Sequence, residues 1–509
     1  MVYTIKTMIK MRFWKITIIL LCLSGTIYGQ KYRLDESGEA IEINLGPVTT
    51  PKRITLQEAL QKKPESITKL DLSGQKLEEL SAEIGQFTNL RRLSLGFNQL
   101  TRLPKAIAKL QKLEVLRLNG NKFTSFPEEI GQLKQLKELY ISRNKITTIP
   151  SSIQKLTQLE VLDLESNRLT TISEAITKLP NLQELRIRRN RLEQVNIKEG
   201  ALPRLAWLDL SLNKIKSLSK GVFQLKKLEA LWLSDNELVQ IPSEITQLTQ
   251  LQQISLNRNK VRTLAKNLGR LTKLRVFSAE GNQLTELPKS IANLTELTYL
   301  NVASNQLQGV PKGVTKLTKL VYLALHKNQL KKLPKLSGLK KLEKLTLYGN
   351  QLKRLEIEGQ TLTRLKEVNI SSNALKAFPT GILKAPNLKK LILSKNEFST
   401  LPQNLGDLKN LEVLYLAHLG IKQLPTSMGK LSALKALYLE KNKITELPIS
   451  LGNCRDLRIL SLTGNQLKDL PSSIKQMRRL IRLHLKDNLI PVTEKSRFKK
   501  WFPRCYIVL

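Results

Sequence analysis

Histidine and cysteine are nearly absent: the 509 residues hold three of each. A hydrolytic triad needs a histidine beside a nucleophile and an orienting carboxylate, and zinc needs four clustered ligands. His326, His418 and His484 stand far apart, and Cys22, Cys454 and Cys505 make no ligand spacing with them. No glycine-rich loop is placed to cradle a phosphate. No helix-turn-helix, zinc-finger or RNA-binding motif is present, so specific nucleic-acid recognition is not expected. Negative charge is also scarce, with 42 acidic residues against 84 basic ones, a net charge of +42. The apolar stretch at 16–23 falls short of the roughly 20 residues a membrane-spanning helix needs. Gly/Ser linkers and low-complexity tracts are missing. No catalytic group, cofactor or metal is expected.

One pattern fills the chain instead. L-x-x-L-x-L-x-x-N-x-L recurs nineteen times over residues 67–490, almost always at 23-residue intervals. The second copy reads Leu90, Leu93, Leu95, Asn98, Leu100, and the last reads Leu480, Leu483, Leu485, Asn488, Ile490. Seventeen copies hold Asn at the ninth position; Gln75 and Leu419 are the exceptions. The second half of each unit reads L-P-x-x-I-x-x-L, as in Leu103, Pro104, Ile107 and Leu110.

A unit this short cannot bury its own apolar face, so it must stack on its neighbours. In L-x-L both leucines point to one side of a strand and the residue between them points to the other. The strands therefore pair into one parallel sheet with leucines beneath it. The ninth-position amide both donates and accepts where the chain leaves the strand. Proline starts a short helical or 3-10 stretch whose apolar residues return to the core. That half is bulkier than a strand, which bends the stack with the sheet inside. At about 4.8 Å per strand the concave sheet runs roughly 85 Å.

These residues resemble the leucine-rich repeat family over about five-sixths of the chain. The L-P-x-x-I version is similar to Ras-group repeats and their bacterial relatives. The resemblance implies an α/β repeat solenoid: a curved horseshoe with a concave parallel sheet of about nineteen strands and short helical or 3-10 segments on the convex side. It also implies a protein-binding scaffold, receptor or adhesin, without naming the partner.

The expected organisation is a signal peptide at 1–29, an N-terminal flank and cap helix at 30–66, nineteen repeats at 67–490 and a C-terminal cap at 491–509. Lys6, Lys10, Arg12 and Lys15 precede the apolar stretch, and Ile27, Tyr28 and Gly29 offer a cleavage site. Retention as an anchor is the alternative; after removal no transmembrane span remains. Thr55 and Glu58 have capping-box spacing. A helix at 493–502 and a strand at 506–509 would cover the last repeat, and no catalytic domain is expected there. Cys454 falls on an inward position and Cys505 in the cap, so both read as buried free thiols. The sixth and thirteenth copies depart from L-P-x-x-I, at 195–202 and 355–362, and read as local changes of curvature.

The repeat register also sorts the charge. The five outward strand-side positions of all copies carry 22 Lys/Arg and 16 Asp/Glu, about +6. Most of the excess therefore belongs to loops and the convex back, in runs such as Lys226–Lys227 and Lys331–Lys332. The strand side has a different signature. Every Trp and Tyr within the repeats lies there: Tyr140, Trp207, Trp232, Tyr299, Tyr322, Tyr348, Tyr415 and Tyr438, joined by His326, His418 and His484. Arg186 and Arg188 flank the tryptophans. Such aromatics suit an interface. Outward strand positions also favour β-formers whatever their use, so the same residues fit side-by-side packing.

The reading that follows is an exported, non-enzymatic recognition protein binding a protein, or an anionic glycan or lipopolysaccharide, on its concave face. An intracellular signalling scaffold and a polyanion-binding surface protein are the alternatives.

Overall fold

Each L-x-L segment becomes a strand of three residues, because the chain turns away as soon as its two leucines are buried. A computed structural model describes residues 54–358 and 360–509, together with the backbone of Tyr32–Leu34 and Ala40–Glu42. The expected signal segment, including Cys22, lies outside the described residues. The chain divides into two compact units, Met1–Pro64 and Glu65–Leu509. In the first, Tyr32–Leu34 and Ala40–Glu42 pair antiparallel. The helix Leu56–Leu60 starts at a closed capping box: Glu58 N–H donates to Thr55 Oγ1 (3.1 Å) and Thr55 N–H donates to Glu58 Oε2 (2.7 Å).

The second unit is a single unclosed parallel sheet of twenty strands, one more than the repeat count. The additional strand is Tyr506–Val508, paired with Arg482–His484 of the last repeat. Register follows the repeat without slippage: Leu70 lies opposite Leu93, and Leu460 opposite Leu483. The leucines beneath are sealed, with Leu93, Leu95, Leu116 and Leu118 at most 1% exposed. Each such side chain contributes roughly 1.5–3 kcal/mol relative to exposure.

The turn off each strand is built around two residues. The eighth position has positive φ in every copy, from Gly74 (70°) to Asp487 (58°), and most copies put a non-glycine there. An L-residue in that conformation costs roughly 1–2 kcal/mol. The ninth-position asparagine offsets this. Asn305 donates from Nδ2 to the carbonyls of Ala279 (2.9 Å) and Val302 (3.1 Å), and its Oδ1 accepts from Leu284 N–H (2.9 Å). The same three bonds recur at the asparagines from Asn121 to Asn465, two of the three tying one repeat to the one before. Where Leu419 replaces asparagine it is buried among apolar neighbours, and Asn442 Oδ1 accepts from both Leu419 and Ile421 N–H.

The other side of the unit is 3-10 helix. Pro104, Pro127 and Pro150 sit in extended backbone immediately before Lys105–Lys109, Glu128–Gln132 and Ser151–Lys155, and Ile107, Ile130 and Ile153 are fully buried. Adjacent segments pack closely; a Cβ on Gly406 would fall 2.0 Å from the Ser427 carbonyl, so only glycine fits. The departures in the sixth and thirteenth copies have structural counterparts. After the sixth strand, Gln194–Val195 pairs in parallel with Ser217–Leu218 as a separate two-stranded sheet on the back. Ile197 and Ile357 then meet Gly221 and Gly381, each at a distance no Cβ would tolerate.

At the C-terminal end, helix Lys495–Trp501 buries Phe498. Cys454 and Cys505 are buried and unpaired with each other, and burial pushes both thiols up to about 11. Among the described residues no helix is long and apolar enough to cross a membrane.

The turn supplies a stability test. Asn305→Ala strands the Leu284 N–H, at about 1–3 kcal/mol for an unsatisfied group, and removes one of the two donors on the Ala279 and Val302 carbonyls, which keep Asn282 and Asn328. The urea midpoint should drop clearly. Ser304→Gly, one residue earlier, should leave it unchanged or raise it by up to about 1 kcal/mol.

Candidate functional site

Strand positions three, five and seven point away from the leucines and form three columns along the sheet. Side chains within a column repeat at strand spacing, which suits face-to-face ring stacking. Tyr299 and Tyr322 stack in the third-position column, with centroids 4.6 Å apart and planes 8° apart. His326 and Tyr348 stack in the seventh-position column at 4.3 Å. Thr346 lies between the pairs, its Oγ1 3.0 Å from His326 Nδ1. Desolvation holds His326 below the usual imidazole range and Tyr322 above the usual phenol range. Tyr415 and Tyr438 stack in the fifth-position column at 4.1 Å with planes 3° apart.

The two other residues expected to join Tyr415 and Tyr438 do not touch them. His418 occupies an eighth-position turn with φ 57° and is exposed. His484 instead meets Tyr506 of the last strand edge-on, at 6.5 Å.

The tryptophans differ from the tyrosines. Trp207 faces Ala230 and Trp232 faces Asp209, so they are diagonal neighbours. Both are half-buried, and among the described residues neither has a stacked ring or an overlying cation. Beside them is a charged knot, of which the residue pattern singled out Arg186 and Arg188 but not the carboxylates Asp163, Glu165 and Glu184. Arg186 bonds Glu184 through Nε, and Arg188 Nε lies 3.7 Å from Glu165. Asp163 and Glu184 are only 8% and 5% exposed. Asp163 accepts from Glu165 N–H and Asp209 from Ser211 N–H, both at 2.9 Å. Burial raises the carboxyl pKa of Asp163, Glu165, Glu184 and Asp209, and nearby carboxylates push Asp163, Glu165 and Glu184 in the same direction. Tyr140 closes this side: its hydroxyl donates to Glu138 (3.0 Å), Arg117 covers its ring at 5.1 Å, and burial with Glu138 lifts its pKa well above the usual phenol value.

Elsewhere, charges on the strand side pair along the stack. Glu367 bridges Lys344 (2.9 Å) and Lys390 (3.4 Å), and Glu412 bridges Lys435 (2.5 Å) and Lys389 (3.5 Å). Among the described residues no group of three or more His, Cys, Asp or Glu is arranged to hold a metal.

Profiles described as "Leucine-rich repeat region" match residues 66–199 and 265–378, and those described as "Leucine rich repeat" match 203–261, 363–421 and 409–467. A Leptospira interrogans LRR protein of known structure is 34% identical, covering 89% of this chain and 98% of its own, with TM-score 0.60. The chain belongs to the leucine-rich repeat family. The Arabidopsis receptor kinase HAESA, in complex with the peptide hormone IDA and the co-receptor SERK1, is 27% identical over 83% of this chain and 74% of that one, with TM-score 0.65. The plant peptide hormone receptor RGFR1, in complex with RGF2, is 25% identical over 91% and 87%, with TM-score 0.61. No curated protein matches. Leucine-rich repeat proteins are generally binding scaffolds.

Within this repeat family framework, the signal that would have found the knot is positional: Asp163, Glu184, Arg186 and Asp209 occupy third or fifth positions of three consecutive copies. A carboxyl whose folded pKa exceeds its unfolded value takes up protons on folding, so its contribution to stability grows as pH falls from neutral through the folded pKa. It levels off below the unfolded value of roughly 4. Asp163→Asn with Asp209→Asn should therefore gain most over wild type near pH 7 and lose that advantage near pH 4, read from urea unfolding at both pH values.

Proposed function

We propose that this leucine-rich repeat protein is an exported recognition protein that grips a protein partner on the strand side of repeats four to eight. The observation that carries this reading is the pair of half-buried tryptophans, Trp207 and Trp232, with no stacked ring or overlying cation among the described residues. A large ring left partly in water gains most when a partner covers it, and tryptophan is enriched at interface hot spots. Arg186, Arg188 and the surrounding carboxylates supply polar orientation beside that apolar contact. The stacked pairs at Tyr299, Tyr322, His326, Tyr348, Tyr415 and Tyr438 fit a secondary role. Their faces cover one another, so they offer mainly ring edges and hydroxyls. Tyr140 is already engaged by Glu138 and Arg117, while His418 and His484 extend the surface toward the C-terminal end.

Similarity to receptors whose structures hold peptide hormones supports a protein or peptide ligand over a small molecule. Export rests on the basic residues Lys6, Lys10, Arg12 and Lys15 before the apolar stretch at 16–23. Cell fractionation tests that part: full-length, unprocessed protein confined to the cytosol would overturn it.

The binding part is tested by pull-down with protein from about residue 31 onward at low and high salt, followed by the double variant Trp207→Ser/Trp232→Ser. Hot-spot tryptophans cost about 2 kcal/mol or more each when truncated. The double variant should keep its thermal unfolding profile and bind the captured partner at least about thirtyfold more weakly. Unchanged affinity would remove the tryptophans from the site.

A further inference from the structure

Seven large apolar side chains are exposed among the described residues, and they are unevenly distributed. Four of them, Ile481, Leu489, Val492 and Tyr506, fall between 481 and 509, at 50%, 60%, 75% and 67% exposure. The same end is also strongly basic. Residues 475–509 carry ten Lys/Arg against Asp487 and Glu494, giving +8 in 35 residues. The average density of the chain, +42 over 509, would give about +3.

The fold brings these features to one end of the stack. Tyr506 N–H donates to the Ile481 carbonyl (2.9 Å), and Tyr506 lies opposite Arg482 in register. Lys499 Nζ donates to the Cys505 carbonyl (3.0 Å), which holds the helix Lys495–Trp501 beside that strand. Leu489 and Val492 lie on either side of Ile490 and Pro491, in the segment that follows strand Arg482–His484. Some cations are engaged, Arg497 by Asp469 and Glu494, and Arg479 by Asp456. Arg478, Arg482, Lys500 and Arg504 are exposed.

Three kinds of partner could cover such an end, and only one uses both of its properties. A second copy docking end to end would press +8 against +8. A soluble polyanion would meet the cations but leave the apolar side chains in water. An anionic lipid surface meets both: head-group phosphates neutralise the lysines and arginines, while Ile481, Leu489, Val492 and Tyr506 enter the interfacial zone. We infer that the C-terminal end of the repeat stack docks on an anionic lipid surface through these exposed apolar side chains and the surrounding basic residues. This site is separate from the tryptophan patch. Trp232 lies eleven strands away, roughly 50 Å along the sheet, so docking leaves the strand side of repeats four to eight open.

The full chain is sedimented with vesicles of phosphatidylcholine alone and of equal parts phosphatidylcholine and phosphatidylglycerol. It should pellet only with the anionic vesicles. Each basic residue at a membrane surface is worth roughly a fivefold change in affinity. Combining Arg478→Glu, Arg482→Glu, Lys500→Glu and Arg504→Glu should weaken binding well over tenfold. Combining Ile481→Ser, Leu489→Ser, Val492→Ser and Tyr506→Ser should weaken it at least about tenfold. If that set lowers the melting temperature, Val492→Ser alone, at a 75% exposed site, should still weaken binding measurably. A control with Lys226→Glu, Lys227→Glu, Lys331→Glu and Lys332→Glu, equal in charge change but on the back of the stack, should stay within about threefold of wild type.

An equal loss in the control overturns the inference, because it makes the attraction a property of the whole +42 chain. Indifference to the apolar substitutions, with full displacement by soluble polyphosphate, makes the end a soluble-polyanion site. Self-association abolished by the apolar substitutions, without vesicle binding, makes it an interface between copies. Each of these results is independent of whether Trp207→Ser/Trp232→Ser loses its partner.

Discussion

The bond from each ninth-position asparagine to the repeat before it is the constraint on which the rest depends. Every copy leaves its strand through a left-handed residue, a conformation that arginine, lysine, serine and even Leu212 adopt here at a cost. The turn also removes carbonyls from the sheet just where they become buried. One amide side chain answers both problems, because its Nδ2 takes two carbonyls and its Oδ1 takes an N–H. Two of these bonds run between copies, so they help lock the register of each strand to its neighbour. Without that lock the columns on the strand side would not line up, and no ring would stack.

Once the columns exist, spacing decides what each aromatic can do. Two rings at the same position of successive copies sit at stacking distance and cover each other, as Tyr415 and Tyr438 do. Two rings at different positions cannot, and Trp207 and Trp232 have no stacked ring among the described residues. The same geometry sets the behaviour of charge. Lysine and glutamate alternating down one column pair along the stack, as Lys344, Glu367 and Lys390 do. Carboxylates concentrated in consecutive copies, as at Asp163, Glu184 and Asp209, lose water together and hold their protons more tightly.

The large positive charge thus has little to do with the strand side of the middle repeats, where acids and arginines are interlocked. It is carried by the rest of the surface, including the end at 475–509, where exposed apolar side chains accompany it. Two chemically distinct surfaces on one rigid scaffold allow separate contacts, because strand pairing transmits position along the stack without requiring the surfaces to resemble each other.

The sequence by itself determined the architecture. A 23-residue period with leucine at fixed offsets leaves no other way to bury those side chains, and asparagine at the ninth position marks where each strand ends. It also determined which side of the strand each tyrosine, tryptophan and histidine would occupy, since alternation along a strand is local. Only the tertiary structure decided which of these residues meet. Contact across strands depends on both register and column, so Tyr299 meets Tyr322, His484 meets Tyr506 rather than Tyr438, and His418 turns away with its left-handed backbone. Arg186 and Arg188 were legible beside the tryptophans, but the burial of the carboxylates around them was hidden, because a carboxylate's loss of water depends on all its neighbours in space, and sequence spacing records only the neighbours along the chain.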